Sequence, residues 1–214
     1  CPILDRLASR GVRFARHLAQ SSWTKCSMAS LWTALYPSRT GVTRFEHGVP
    51  SAARLPAEIL REAGFRTAGL WRNGWVGEYF GFGQGFEVYT RPIGRPPPPS
   101  VRQENPTVKG VGTDADFLPA ATEFLRSHGD ERWFLYLHLM DVHEYIYDSE
   151  SALFGTDYSD VYDNSIRYVD DTLARLYRGL CEAGERERTL IVITSDHGEA
   201  FRERGYEGHA LTVY

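Results

Sequence analysis

The repeated order of an amphipathic helix, a glycine and an apolar strand is the feature of this sequence that most constrains its fold. "ILDRLASRGVRF" places apolar residues at helical spacing, then Gly11, then a short β-type run. "LPAEILREAGFRTAGLW" repeats this order, with Gly64 between the predicted helix and the predicted strand. Glycine after the last turn is typical of a helix end. Helix and strand in alternation predict an α/β domain with a mostly parallel sheet.

The second half of the chain continues the alternation. "DADFLPAATEFLRSHG" predicts a helix, "WFLYLHL" a buried strand and "DYSDVYDNSIRYVDDTLARLYRGLCEAG" a long helix. The long helix has apolar residues every three or four positions, which places them on one face. They are Tyr162, Ile166, Val169, Leu173, Leu176 and Leu180. "TLIVIT" is rich in β-branched residues and predicts a strand buried on both faces. We expect one domain over residues 1–214, a mostly parallel mixed sheet sandwiched by helices.

A proline-rich segment interrupts this pattern. Residues 91–112, "RPIGRPPPPSVRQENPTVKGVG", contain six prolines and almost no apolar periodicity. Such a composition predicts a surface loop or insertion, with the consecutive prolines in an extended conformation.

Composition excludes several classes of protein. The formal net charge is −4 and no cluster of Lys and Arg forms a basic face, so nucleic-acid binding is not expected. The longest apolar run is far shorter than the ~20 residues of a membrane span. Three cysteines are too few for a disulfide framework.

The chain begins at Cys1 rather than at methionine and ends at Tyr214 without a turn signal. We therefore expect a piece of a longer protein, truncated at both ends, and its localisation stays open.

Polar residues that directly follow buried strands are the candidates for chemistry, because ligands bind beyond the carboxyl ends of parallel strands. "SDHGE" places Asp196 and His197 after "TLIVIT", and "MDVHEY" places Asp141 and His143 after "WFLYLHL". His209 follows a glycine in "GYEGH". A carboxylate and an imidazole from one turn suit Zn²⁺, Ca²⁺ or Mg²⁺. The alternative is an Asp that caps a helix beside an uninvolved His, but three histidines at strand ends or glycine turns favour a cluster.

The ordered set of motifs resembles a known family. It comprises "ILDRLASRGVRF", "SSWTKCSMASLWTALYPSRTGV", "LREAGFRTAGLWRNGW", "GFGQGFEVY", "LYLHLMDVHEY", "YDNSIRYVDDTLARL" and "ITSDHGEAFRERGYEGH". Together these motifs resemble the N-terminal catalytic domain of sulfatases, in the alkaline phosphatase superfamily. "TSDHGE" and "YPSRTGV" carry most of the likeness. The resemblance implies an alkaline phosphatase-like α/β sandwich that holds a divalent metal at the carboxyl edge of its sheet and cleaves sulfate or phosphate esters.

The same resemblance implies roles for individual residues. Asp196 and His197 match the metal-binding pair of the family, and one metal ion (Ca, Mn, Zn or Mg) is expected. His143 and His209 match the groups that contact the transferred group or protonate the leaving oxygen, and Asp141 is expected to orient them at the substrate. Arg204 replaces a frequent histidine of the family, which makes a second metal less expected while still allowing the residue to bind an oxyanion. The expected substrate is a small-molecule, sugar or lipid ester of sulfate or phosphate.

The resemblance also assigns the nucleophile by spacing. Most sulfatases use a cysteine, oxidised to formylglycine, in a Cys-x-Pro-Ser-Arg motif thirteen residues before the proline of a Tyr-Pro turn. Thirteen residues before Pro37 stands Thr24, not Cys26, and the residues after Cys26 do not fit the modification motif. Thr24 therefore resembles the metal-activated threonine of the superfamily's phosphodiesterases and phosphotransferases. A helix N-cap is the alternative role for Thr24. Lys25 adds positive charge there unless it is simply exposed.

The sequence departs from the pattern of the family at both ends, and three hypotheses about its function stay open. Family members usually have a strand with metal-binding aspartates upstream of the first helix, and further strands downstream, which this chain lacks. The first hypothesis is a metal-dependent ester hydrolase that uses Thr24. The second is a phosphotransferase that moves a phosphoryl-linked head group to a lipid or sugar. A non-catalytic relative that keeps the fold is the third, and the joint retention of the candidate site residues argues against it.

Overall fold

The computed structural model describes residues 1–96 and 112–210 and divides the chain into two compact units. We call Cys1–Phe14, Arg91–Asp130 and Leu137–Thr189 the helical unit. Ala15–Thr90, Glu131–Tyr136 and Leu190–Tyr214 form the sheet unit. Most of the predicted loop at 91–112 lies outside the described residues, and residues 91–96 form neither helix nor strand. The single domain predicted over 1–214 stays a prediction.

A three-stranded sheet gives the sheet unit its framework. Strand β1 is Arg66–Trp71, β2 is Val88–Thr90 and β3 is Trp133–His138, in the order β2-β1-β3. β1 and β2 are parallel, with Ala68 opposite Val88 and Leu70 opposite Thr90. The strands predicted in "FRTAGLW" and "WFLYLHL" are thus confirmed, as is the α/β fold class.

Three helices of the sheet unit surround a compact apolar core. Helix α2 is Thr24–Thr33, α3 is Pro37–Thr40 and α4 is Pro56–Glu62, the last ending before Gly64 as predicted. The core of this unit contains Met28, Ala29, Val42, Val49, Leu55, Val76 and Phe82. Trp32 of α2 packs edge-on against Tyr136 with ring centroids 4.8 Å apart. Close packing of this kind fixes α2 in place, and with it the residues at its first turn.

The helical unit consists of three helices that pack on one another. Helix α1 is Pro2–Arg10, α5 is Phe117–His128 and α6 is Tyr158–Glu182, and α6 contacts the other two. The stripe predicted on α6 is partly or fully buried along its length. Asp170 of α6 is buried and accepts the backbone N–H groups of Ile3 and Leu4 at 3.1 and 3.0 Å. It therefore caps α1 from a distant part of the chain, since the first N–H groups of a helix have no partner within it.

Two predicted strands are wrong. "TLIVIT" is not in a strand, and the exposed fraction of its residues from Leu190 to Ile193 ranges from 39 to 87%. The "VRF" run after α1 is likewise irregular, with Val12 and Phe14 exposed. Within residues 1–96 and 112–210, no strand pairs with either run. A β-branched run becomes a strand only where a neighbour supplies the hydrogen-bonded ladder.

A short antiparallel hairpin follows the "TSDHGE" motif. Strand β4 is Ala200–Phe201 and β5 is Glu207–Gly208, with Ala200 opposite Gly208. Among the helices that the structure describes, none is long and apolar enough to cross a membrane.

Candidate active site

Thr24 is the first residue of α2, and its side chain points at His197. The N-cap position belongs to Trp23, and no side chain caps the helix. Thr24 is only 3% exposed, and its Oγ1 lies 3.2 Å from Nε2 of His197. The structure therefore does not show the N-cap role that was the alternative for Thr24. Its hydroxyl contacts an imidazole at the electropositive end of a helix.

The hydrogen bonds of His197 define its tautomer. Nδ1 lies 2.8 Å from the backbone oxygen of Gly198. Because a carbonyl oxygen only accepts hydrogen bonds, Nδ1 carries the proton and donates it. In the neutral form of such a ring the lone pair is on Nε2, where it can accept a hydrogen bond from the Thr24 hydroxyl. A backbone carbonyl on one ring nitrogen is also the usual partner of a histidine whose other nitrogen ligates a metal.

Asp196 brings a buried carboxylate oxygen next to this nitrogen. Its Oδ2 lies 3.4 Å from His197 Nε2. This oxygen is buried and accepts no hydrogen bond from the part of the chain that the structure describes. A buried acceptor without a partner costs about 1–3 kcal/mol, whereas a cation compensates it. Thr24 Oγ1, Asp196 Oδ2 and His197 Nε2 are therefore a donor set that fits a divalent metal ion.

Two further hydrogen bonds fasten the "TSDHGE" and "GYEGHA" segments to the start of α2. The Ser27 hydroxyl donates to the backbone oxygen of Asp196. The Ala210 N–H donates to the backbone oxygen of Ser22 at 2.9 Å. Because Ser22 and Ser27 flank Thr24 in sequence, these bonds position the candidate nucleophile against Asp196 and His197.

The β4–β5 hairpin places His209 beside Glu199. Glu199 precedes β4 and His209 follows β5, so the register that sets Ala200 opposite Gly208 makes them the next facing pair. Nδ1 of His209 lies 2.9 Å from Oε2 of Glu199. This hydrogen bond raises the pKa of His209 above its usual value, although burial acts in the opposite direction. Glu199 was not among the predicted site residues. Its position two residues after His197 in "DHGE" was the available signal.

His197 and His209 also lie close together. Their ring centroids are 4.5 Å apart, with 33° between the ring planes. One ligand atom from each of His197, Glu199 and His209 lies within 4.8 Å of the other two. The sheet unit thus brings together four of the predicted site residues, namely Thr24, Asp196, His197 and His209.

Lys25 is fully buried within an aromatic cage. Its ammonium lies 3.8 Å from the ring centroid of Phe80, 5.0 Å from Trp75 and 5.2 Å from Trp23. It also donates a hydrogen bond to the backbone oxygen of Phe45. Burial lowers the pKa of Lys25, and the charge of Glu46 acts in the opposite direction. The structure thus excludes the exposed lysine that was the alternative, while substrate binding by Lys25 stays a prediction.

Asp141 and His143 lie in the helical unit, in the turn that follows β3. Asp141 is fully buried, and its Oδ2 accepts the N–H of Asp114 at 2.8 Å. The carboxylate of Asp114, also fully buried, accepts the N–H groups of Met140 and Asp141 at 2.8–2.9 Å. We call this reciprocal pair the aspartate clamp. It holds the backbone of the turn that carries the exposed His143.

Two arginines complete the inventory of candidate residues. Arg72 directly follows the carboxyl end of β1 and is buried. It was missed because the search for polar residues after strands covered β3 and "TLIVIT" but not β1. Arg204, which was predicted, is exposed in the turn between β4 and β5.

Comparison with known proteins identifies the family of this chain. A sequence profile of the sulfatase family matches residues 1–212. N-acetylgalactosamine-6-sulfatase of Rattus norvegicus is 25% identical over 248 aligned residues, covering 97% of this chain and 47% of the relative. The chain thus spans about half the length of the curated relatives it matches.

Two solved structures share the fold. Phosphonate monoester hydrolase of Agrobacterium radiobacter superposes with a TM-score of 0.71 at 19% identity, covering 97% of this chain and 59% of that one. The C-terminal periplasmic domain of EcEptC from Escherichia coli, in complex with Zn, gives a TM-score of 0.67 at 16% identity, covering 98% and 60%.

Proposed function

Because this chain belongs to the sulfatase family, we propose that the full-length protein is a metal-dependent hydrolase of sulfate or phosphate esters with Thr24 as its nucleophile. One observation supports this most directly. The buried Thr24 hydroxyl lies 3.2 Å from His197 Nε2, beside a buried oxygen of Asp196 that accepts no hydrogen bond from the described residues. A hydroxyl becomes a useful nucleophile at neutral pH only when a base or a metal withdraws its proton.

Thr24, Asp196 and His197 are the residues that would hold the metal ion, which is Ca, Mn, Zn or Mg. Bound there, a divalent cation lowers the pKa of the Thr24 hydroxyl and neutralises charge on the oxyanion. The residues of the chain supply the positioning. Gly198 fixes the His197 ring through Nδ1, and the bond from Ser27 fixes the backbone of Asp196.

The N-terminus of α2 stabilises the group that Thr24 attacks. Thr24 is the first helical residue, so a sulfuryl or phosphoryl group on its oxygen lies next to N–H groups of the first turn. Backbone N–H groups and the helix dipole favour an anion at that position. We propose Lys25 and Arg204 as further cations for the oxyanion, and we add Arg72 because it stands at the carboxyl end of β1.

His143 and His209 are proposed to contact the transferred group or to protonate the leaving oxygen. Glu199 accepts the hydrogen bond from Nδ1 of His209, which makes Nε2 the atom from which His209 exchanges a proton. Asp141 acts indirectly, because the aspartate clamp fixes the turn that carries His143.

The substrate is proposed to be a sugar ester. The support is the rat relative, whose name specifies a sulfated amino sugar. A phosphotransferase is the second candidate, and a threonine at the nucleophile position favours it over sulfatase chemistry that depends on formylglycine.

The test compares Thr24→Ala with Thr33→Ala in the full-length protein. Thr33 lies in the same helix and binds the backbone oxygen of Ala29, away from the site. With aryl sulfates and aryl phosphodiesters in Mn²⁺ or Ca²⁺, we expect Thr24→Ala to lower kcat by about a thousandfold or more and Thr33→Ala to leave it nearly unchanged. Equal rates in the two variants would contradict the nucleophile. Transfer to lipid or sugar acceptors without hydrolysis would favour the second candidate.

A further inference from the structure

We propose that His197, Glu199 and His209 form an inhibitory zinc site, which competes for His197 with the metal ion held by Thr24 and Asp196. The inhibitory consequence rests on the proposed function, whereas zinc binding by these three side chains does not.

The three side chains already converge. One ligand atom from each lies within 4.8 Å of the other two. Glu199 Oε2 and His209 Nδ1 are 2.9 Å apart, and the rings of His197 and His209 are 4.5 Å apart. Glu199 and His209 are only 10% and 21% exposed in their side chains, so the donors are partly shielded from water yet within reach of an ion. Small side-chain adjustments bring donors at these separations to the ~2 Å bonds of a zinc ion.

The chemistry of the donors selects the metal. Two imidazoles and one carboxylate form the His₂Glu set that zinc takes in several enzymes, with a fourth position left for water. Calcium and magnesium prefer sites made of oxygen atoms alone. A zinc ion at this set displaces the proton that Glu199 and His209 share, so a hydrogen-bonded pair becomes two metal ligands.

The hairpin supplies a defined platform for two of the donors. Ala200 faces Gly208 across the β4–β5 ladder, which makes Glu199 and His209 the next pair outward. Facing side chains of an antiparallel pair have Cβ atoms about 5 Å apart. The backbone therefore determines that these two donors meet, whatever ligand they bind.

Competition follows from the tautomer of His197. Its Nδ1 donates to the backbone oxygen of Gly198, so Nε2 is the nitrogen available to a metal. Nε2 is also the atom that faces Thr24 and Asp196. Zinc bound through Nε2, Glu199 and His209 thus takes a ligand from the proposed catalytic metal. It also withdraws His209 from the leaving oxygen.

The experiment measures Zn²⁺ binding by calorimetric titration of the full-length protein, without substrate, in the wild type and four variants. Asp196→Ala removes a ligand of the proposed catalytic metal and leaves the three proposed zinc ligands in place. Glu199→Gln keeps the size of the side chain but removes its charge, and His209→Ala removes an imidazole. The matched control is Glu207→Gln, which lies in the same hairpin and breaks only an exposed ion pair with Arg202. Co²⁺ replaces Zn²⁺ in a parallel titration, because its visible absorption reports imidazole coordination.

We expect Glu199→Gln and His209→Ala to weaken Zn²⁺ binding by about tenfold or more, with a matching loss of Co²⁺ absorption, and Glu207→Gln to change neither. In enzyme loaded with Ca²⁺ or Mg²⁺, added Zn²⁺ inhibits the wild type, and Glu199→Gln raises the inhibitory concentration. Zn²⁺ affinity within twofold of the wild type in both variants overturns the inference. Zn²⁺ affinity that is lost in Asp196→Ala but kept in Glu199→Gln and His209→Ala also overturns the inference. In that case zinc binds to Thr24, Asp196 and His197, and the proposed function still stands.

Discussion

Replacement of Asp114 by alanine tests the aspartate clamp. The carboxylate of Asp114 accepts the N–H of Met140 at 2.8 and 2.9 Å and the N–H of Asp141 at 2.8 Å. Both aspartates are fully buried, so water cannot replace the lost acceptor without opening the turn. A buried N–H left without a partner costs about 1–3 kcal/mol, and because Met140 is only partly buried the two N–H groups together give about 2–4 kcal/mol. That is a large part of the ~5–15 kcal/mol that stabilises a typical protein.

Urea denaturation followed by helical circular dichroism measures this loss. Asp130→Ala is the matched control, because Asp130 is exposed at the end of the segment that contains α5. We expect the free energy of unfolding to fall by at least about 2 kcal/mol in Asp114→Ala and to stay within about 0.5 kcal/mol in Asp130→Ala. Asp114→Asn keeps one oxygen acceptor and is expected to lie between them. A loss in Asp114→Ala as small as that of the control would refute the clamp.

Four further predictions concern the sheet unit. Cys26→Ser leaves hydrolysis nearly intact in steady-state assays, since Cys26 is buried in α2, and a large loss of kcat would overturn the assignment of Thr24. Lys25 binds its proton less tightly when folded than when unfolded, so its burial opposes folding at neutral pH and this cost disappears as the pH rises toward 10.5. The wild type should therefore show a rise in the free energy of unfolding at alkaline pH that Lys25→Met lacks. Parallel profiles of unfolding free energy against pH for the two proteins would contradict this. Ala210 has φ of +71°, a conformation that favours glycine. Ala210→Gly thus raises the thermal midpoint by an amount equivalent to about 1 kcal/mol, and an unchanged midpoint would argue against the strain. Chelation by EDTA abolishes hydrolysis and added divalent metal restores it, whereas activity that survives exhaustive chelation would exclude the metal.

Local patterns in the sequence predicted most of the helices and two of the strands. The helices at Pro2–Arg10 and Tyr158–Glu182 depend on the spacing of their own apolar residues and on the glycine that follows each of them. The strand at Arg66–Trp71 begins just after the glycine that follows α4. "TLIVIT" has the composition of a strand but is irregular, because a strand also needs a partner that composition does not reveal. The failed predictions are thus the ones that depended on pairing.

The candidate site likewise contains residues that the local sequence predicted and residues whose contacts depend on distant parts of the chain. Asp196 and His197 are adjacent in sequence and were predicted together, although the strand expected before them is irregular in the structure. Glu199 was missed because its contact with His209 depends on the register of a hairpin too short to recognise by alternation. Asp114 was missed because an acidic residue at the start of a helix is typical of a helix cap. Its hydrogen-bond partners, the N–H groups of Met140 and Asp141, lie 26 and 27 residues later in the sequence.

The Glu199–His209 contact and the Thr24–His197 contact differ in how far apart the two partners lie in the sequence. Glu199 and His209 are ten residues apart and meet through a short hairpin, whereas Thr24 and His197 are 173 residues apart. A loop of about ten residues closes within about 100 ns, while a contact between distant parts of the chain forms only when the whole unit is assembled. We therefore expect stress that loosens the sheet unit to separate the Thr24 hydroxyl from His197 before it opens the contact within the hairpin. On the function and zinc site proposed above, partly unfolded molecules would still bind metal at the hairpin but would not turn over substrate, so metal content would be a poor measure of active enzyme in a stored preparation.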